Sequence, residues 1–193
     1  MKIAILSCSS RAQSNTARVG KTIQRHIETH HPEMGVYQPD FVHYDIPFFN
    51  EKALSREDLS NFQEELVQAL EQSQLVFLLS PEYNWFPSAE AVNMIHQLGS
   101  GRFRACWDNK VWATVGVSSG RGGRIPAVQL SYVVNKVIGH LGLQSVVSAK
   151  NFESQFTPQV LSTEGHSLGQ AEYEKGLFDF IEYNLDLAKK MFA

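Results

Sequence analysis

Apolar runs of strand length alternate along this chain with stretches whose apolar residues recur every three or four positions, the pattern of βαβ units around a parallel sheet. Lys2 to Cys8 predicts the first strand. A helix from about Asn15 to His31 turns Val19, Ile23 and Ile27 to one side, and Pro32 ends it. A second strand is expected near Tyr37 to Tyr44, followed by a loop from Asp45 to Leu54. Ser55 and Asp58 then read as a capping box for a helix carrying Leu59, Phe62, Leu66 and Leu70. Leu75 to Ser80 is the third strand, Ser88 to Leu98 a short helix, Gly99-Ser100-Gly101 a turn, and Lys110 to Ser118 the fourth strand. A helix from about Ile125 to His140 is expected to bury Val133, Val137 and Leu141 and to stop at Gly142 before a fifth strand, Gln144 to Ala149. The last helix, about Gly169 to Lys190, carries Tyr173, Leu177, Phe180, Ile181 and Leu187, and Asn151 to Ser167 reads as an irregular excursion.

Five strands and five helices suit an α/β three-layer sandwich with a five-stranded parallel sheet. Right-handed crossovers make the flavodoxin-like order 2-1-3-4-5 the economical topology. With 193 residues, 43% hydrophobic and 19% charged, the chain is expected to form a single domain over 1–193 with a large core. A net charge of −3 gives no electrostatic reason to expect nucleic acid or an anionic membrane as partner. No apolar run reaches the roughly 20 residues of a membrane span, and no signal segment precedes the first strand, so a cytoplasmic location is expected. Cys8 and Cys106 form no spaced ligand set and are expected as two buried thiols. His26 and His30 stand four apart on one helix without a third ligand and read as solvated residues, so no metal is expected.

Three loops follow strands directly, where open α/β sheets bind ligands. Cys8 to Asn15 supplies Ser9, Ser10, Arg11, Ser14 and Asn15 at a helix start. These residues fit a phosphate cradle, and equally a plain helix cap with Arg11 in solvent. The loop lacks the glycine spacing of a dinucleotide fingerprint or a Walker loop. Only two residues separate Cys8 from Arg11, too few for a tyrosine phosphatase loop, and no G-x-S-x-G elbow occurs. Pro81-Glu82-Tyr83-Asn84-Trp85-Phe86-Pro87 offers backbone donors, a carboxamide and aromatic faces to a planar heterocycle. Ser118-Ser119-Gly120-Arg121-Gly122-Gly123-Arg124 lets backbone approach a flat ring closely, with its two arginines either in solvent or facing the phosphates of a nicotinamide cofactor.

Taken together, the three loops resemble those of the NADPH-dependent FMN reductase family, flavodoxin-like oxidoreductases that include quinone, azo-dye and chromate reductases. Pro81 to Asn84 matches the family's Pro-Glu-Tyr-Asn without change, Ser9-Ser10-Arg11 and Ser14-Asn15 match its phosphate loop, and Ser118 to Gly123 matches its glycine turn. The chain departs from the pattern with Cys8 at the usual glycine, Trp85 and Phe86 after the second motif, Val92-Asn93…His96 in the next helix, and a shorter glycine turn. The resemblance implies that Ser9, Arg11, Ser14 and Asn15 hold the FMN phosphate. Pro81, Glu82, Tyr83 and Asn84 would then meet the isoalloxazine, and Ser118, Ser119 and Gly120 its other edge. It implies NADPH or NADH as co-substrate, hydride transfer to the flavin, a small acceptor such as a quinone, and no assigned acid or base. It also implies a homodimer or homotetramer, with Trp85, Phe86 and the 99–107 segment as contacts. A flavin-binding electron carrier or redox sensor of the same fold is the alternative.

Overall fold

The computed structural model describes residues 1–192. Strands β1 (Lys2–Ser7), β2 (Gly35–Tyr37), β3 (Leu75–Pro81), β4 (Val111–Val117) and β5 (Val146–Val147) lie in the order β2-β1-β3-β4-β5, and every pairing is parallel. Side chains alternate across the sheet with period two, so each strand feeds both faces. Ile3, Ile5, Leu75, Phe77 and Val115 face helices α1 (Asn15–His30) and α6 (Ala171–Met191), where Val19, Ile23, Leu177, Phe180 and Ile181 close one core layer. Ala4, Leu6, Val76, Leu78 and Trp112 face α2 (Asn61–Gln72), α3 (Ala89–Leu98) and α4 (Arg124–Leu141), whose Leu66, Leu70, Met94, Leu130 and Val134 close the other. This is the flavodoxin-like three-layer sandwich.

Several expectations need correction. The second strand spans Gly35 to Tyr37, not Tyr37 to Tyr44, because Pro39 has no N–H for a ladder. Asp40 instead caps a 3-10 turn at Phe41–His43 by accepting from Val42 N at 3.0 Å. The capping box of α2 is Ser60 with Gln63, each side chain bonded to the other's backbone at 3.2 Å. Ser55 and Asp58 only close a turn ahead of it. Helix α4 buries Ala127, Leu130, Val134 and Ile138, while Val133 is exposed and Val137 and Leu141 are half-buried. That helix carries two apolar stripes, so periodicity alone does not select the inward one. Its stop at Gly142 is as expected: φ is +59°, and the amides of Gly142 and Leu143 return to Gly139 O and Ile138 O.

The fifth lane of the sheet is broken, which is the fourth correction. Val146–Val147 pairs with the start of β4, Ser148 Oγ then bonds to Lys150 N and O, and a sixth strand, β6 (Phe152–Ser154), resumes pairing with Val115 to Val117. A short helix, α5 (Thr157–Val160), follows. The stretch expected as an irregular excursion therefore starts with a strand and a helical turn beside the end of β4. His26 is also not solvated. Its Nε2 lies 2.6 Å from Glu182 Oε1, the same carboxylate meets His31 Nε2 at 3.0 Å, and the ring is buried, tying α1 to α6.

Candidate functional site

All strands run one way, so the loops after β1, β3 and β4 emerge at the same end of the sheet. β1 and β3 are neighbours in space but not in sequence, and the crevice at such a reversal is where open α/β sheets take ligands. The first loop is joined both to the second loop and to the start of α3 that follows it. Ser88 Oγ donates to Cys8 O at 2.7 Å, Ser10 N and Oγ donate to Glu90 Oε1 at 3.0 and 2.5 Å, and Ser9 Oγ lies 3.4 Å from the Tyr83 hydroxyl. The Arg11 guanidinium stacks over the Tyr83 ring, 4.8 Å from its centre. The second loop reaches the third through Glu82, whose Oε2 accepts from Gly123 N at 2.6 Å.

Each loop has a physical reason for its shape. Ser14 caps α1 by accepting from Ala17 N at 3.1 Å. The amides of Asn15 and Thr16 meet no acceptor among the described residues, and the first turn holds no acidic side chain. Ser9, Arg11, Gln13 and Ser14 line a groove of about 400 Å³ against Gln38 to Val42. Asn84 and Trp85 both take positive φ, +50° and +64°, in a two-residue turn closed by mutual bonds between the backbones of Tyr83 and Phe86. In the third loop Gly123 has φ +94°, and a Cβ on Gly116 would stand 1.7 Å from Gly123 O, so β4 and the start of α4 approach at a distance only glycine permits.

The structure brings Ser9 and Arg11 against Tyr83, sets Ser14 in the same groove as Ser9 and Arg11, and makes Asn15 the first residue of α1. Pro81 is the buried last residue of β3, and Asn84 is exposed at its turn. Glu82 is turned away from the first loop toward the glycine turn. Ser118 and Gly120 use their carbonyls to accept from Thr157 and Phe156, so β6 and α5 brace the third loop, while Ser119 stays exposed. Arg121 is exposed, and Arg124 lies 3.4 Å from Glu153. The 99–107 segment keeps Phe103, Cys106 and Trp107 inside and offers no apolar contact face; the exposed apolar groove instead runs over Phe86, Val92, Val128, Tyr132 and Val133.

Sequence reasoning missed Ser88 and Glu90, although Ser88 after Pro87 and before an apolar run is a recognisable N-cap signal. Burial alone would raise the Glu90 pKa, but the bonds from Ser10 outweigh it and hold the carboxyl below its usual range. It also missed Asn93 and Gln97, one turn apart on α3, whose carboxamides clamp the loop before α2. Asn93 Nδ2 donates to the Tyr44 hydroxyl and Pro47 O while its Oδ1 accepts from Phe49 N; Gln97 bonds to Pro47 O, Lys52 O and Leu54 N. Cys8 is no nucleophile. It is fully buried, and burial pushes its pKa well up.

The loops suit FMN on their own chemistry. Open amides at a helix start, one guanidinium and no carboxylate in the first turn make a cradle for a dianionic phosphate. A model of the NADPH-dependent FMN reductase family matches residues 1–154. The chain belongs to that family. Membership brings FMN as cofactor and NAD(P)H as reductant, and the match covers all three loops. Among solved structures, the flavoenzyme NAD(P)H:(acceptor) oxidoreductase FerB from Paracoccus denitrificans is 18% identical, with 98% of each chain covered and a TM-score of 0.74. An oxidoreductase from Corynebacterium diphtheriae is 14% identical over 98% of this chain and 97% of that one, with a TM-score of 0.66. A flavodoxin from the domain Archaea is 13% identical over 100% of both chains, with a TM-score of 0.58. At these identities the likeness is one of fold. No curated protein matches the sequence.

Proposed function

We propose that this FMN-dependent NAD(P)H oxidoreductase passes two electrons to a small acceptor such as a quinone, working as one flavodoxin-like domain of residues 1–193. The observation that carries the reading is the junction of the three loops at one end of the sheet, with Tyr83 against the phosphate-loop residues and Glu82 against the glycine turn. In this reading Ser9, Arg11, Ser14 and Asn15 hold the phosphate. Backbone from Pro81 to Asn84 and from Ser118 to Gly120 orients the ring, with Glu82 and Ser119 at their margins. Bound FMN supplies the two-electron chemistry, so no side chain has to serve as acid or base. Trp85 and Phe86, 67% and 62% exposed at the tip of the second loop, narrow the acceptor's approach.

The exposed groove between α3 and α4, about 540 Å³ and almost wholly apolar, supports a homodimer or homotetramer. Two free, buried thiols go with a cytoplasmic location. No helix among the described residues is long and apolar enough to cross a membrane.

The test is anaerobic mixing of FMN-loaded protein with NADPH and with NADH. Rapid bleaching of the flavin band, followed by reoxidation with a quinone, is the expected result. Bleaching by a protein donor only would make the chain an electron carrier, and protein that stays colourless with added FMN would remove both readings.

A further inference from the structure

Helices α1 and α3 are capped by serines of their own, Ser14 and Ser88, which accept from Ala17 N and Ala91 N. Helix α4 differs. Its N-cap is Gly123, which has no side chain to accept a bond, and its first turn holds no acidic residue. The acceptor at this helix start comes from the end of a neighbouring strand. Glu82 leaves β3 just after Pro81, its own amide donating to Val117 O at 2.8 Å, and its Oε2 accepts from Gly123 N. Gly122 is fitted to the same carboxylate, since a Cβ there would stand 2.6 Å from Oε1 and 3.0 Å from Cδ. No cationic side chain pairs with Glu82 among the described residues, and Arg124, the first residue of α4, is engaged with Glu153. A carboxylate with no cationic side chain against it therefore sits between two of the three loops, at the positive end of an 18-residue helix.

We propose that Glu82 is a positioning residue that fixes the glycine turn and, through its charge, keeps the bound flavin a strong reductant. The inference rests on the FMN reading above. Two-electron reduction of FMN with uptake of one proton adds one negative charge to the ring system, and a fixed carboxylate beside the ring's loops disfavours that charge. The α4 terminus alone would favour it, but its partial positive charge is taken up by the glutamate. The two roles separate by substitution. Glu82→Gln keeps an oxygen that accepts from Gly123 N and removes the charge. Glu82→Asp keeps the charge and shortens the reach, so the bond to Gly123 is lost.

The measurements are the dissociation constant of oxidised FMN, by quenching of its fluorescence, and the midpoint potential of the bound flavin against a reference dye. For Glu82→Gln we expect oxidised FMN to bind within about threefold of wild type and the reduced form to gain about tenfold in relative affinity. For a two-electron couple that is a rise of about 30 mV. For Glu82→Asp we expect FMN binding to weaken about tenfold with the potential little changed. A Glu82→Gln potential equal to that of wild type overturns the electrostatic role, and wild-type FMN affinity in Glu82→Asp overturns the loop-fixing role. If wild-type protein binds no FMN, the underlying functional reading fails first, an outcome distinct from a variant that binds FMN at an unchanged potential.

Discussion

Lys110 stands just before β4, at the end of the sheet away from the three loops, and is 1% exposed, with Nζ donating to Ser73 O at 3.0 Å. Burial pulls its pKa from 10.5 to about 8, against the opposing influence of Cys106, Glu71 and Asp108. A fall of that size corresponds to roughly 3 kcal/mol of unfavourable charging in the folded state. The sign follows from proton counts. Below pH 8 the amine is charged in both states and the whole cost is felt. Between about 8 and 10.5 the unfolded chain keeps the proton and the folded chain releases it, so stability climbs with pH; above 10.5 the group contributes nothing. From pH 7 to pH 9 the gain is about 1 kcal/mol. Lys110→Met removes this slope together with the charging cost of roughly 3 kcal/mol felt at pH 7, and gives back about 1 kcal/mol for the donor lost to Ser73 O. Urea unfolding followed by the fluorescence of buried Trp107 and Trp112, at pH 7, 8 and 9, should show wild type gaining on the variant as pH rises. Parallel profiles for the two proteins would refute an amine whose pKa is pulled down by its burial. FMN affinity should be the same in both.

Other perturbations reach the site itself. Arg11→Ala should weaken FMN binding about tenfold, the worth of one charge-assisted hydrogen bond, and leave riboflavin binding unchanged; titrating both flavins checks that the guanidinium reads phosphate. Gly116→Ala places a methyl against the backbone of Gly123 and should cost about 3 kcal/mol in urea unfolding, with flavin affinity falling as the third loop shifts. Asn93→Ala leaves Phe49 N without its acceptor and Tyr44 without its donor. It should cost about 2 kcal/mol and open the 45–54 loop to limited proteolysis while the sheet stays protected.

Much of this architecture is legible in the chain because local chemistry and tertiary placement agree. Ile3 to Leu6 and Leu75 to Leu79 are continuous apolar runs buried on both faces, Val111 to Val117 is as fully buried with only Thr114 polar, and runs of that kind have few other places to go. Pro81 to Asn84 is readable for a similar reason, since a strand end, a tight turn and a carboxamide fall at fixed spacing. Legibility fails where a long-range partner decides. Nothing local says that Glu82 caps a helix that starts 42 positions later, that Glu182 will collect both His26 and His31, or that α4 turns Val134 inward and Val133 out. The second strand departs from expectation for a local reason, because Pro39 lies inside the expected span.

The break in the fifth lane shifts β6 toward the far end of β4, so Ser154 lands where its Oγ meets the Thr157 hydroxyl at 2.8 Å and the Tyr173 hydroxyl at 2.7 Å, and Thr157 in turn supports Ser118. The terminal helix is thereby mechanically coupled to the third loop, some fifty positions upstream. A fragment trimmed to residues 1–154 would retain every recognisable motif and still lose the strut beneath one of them, so the unit that holds these motifs in place is longer than the signature that identifies it.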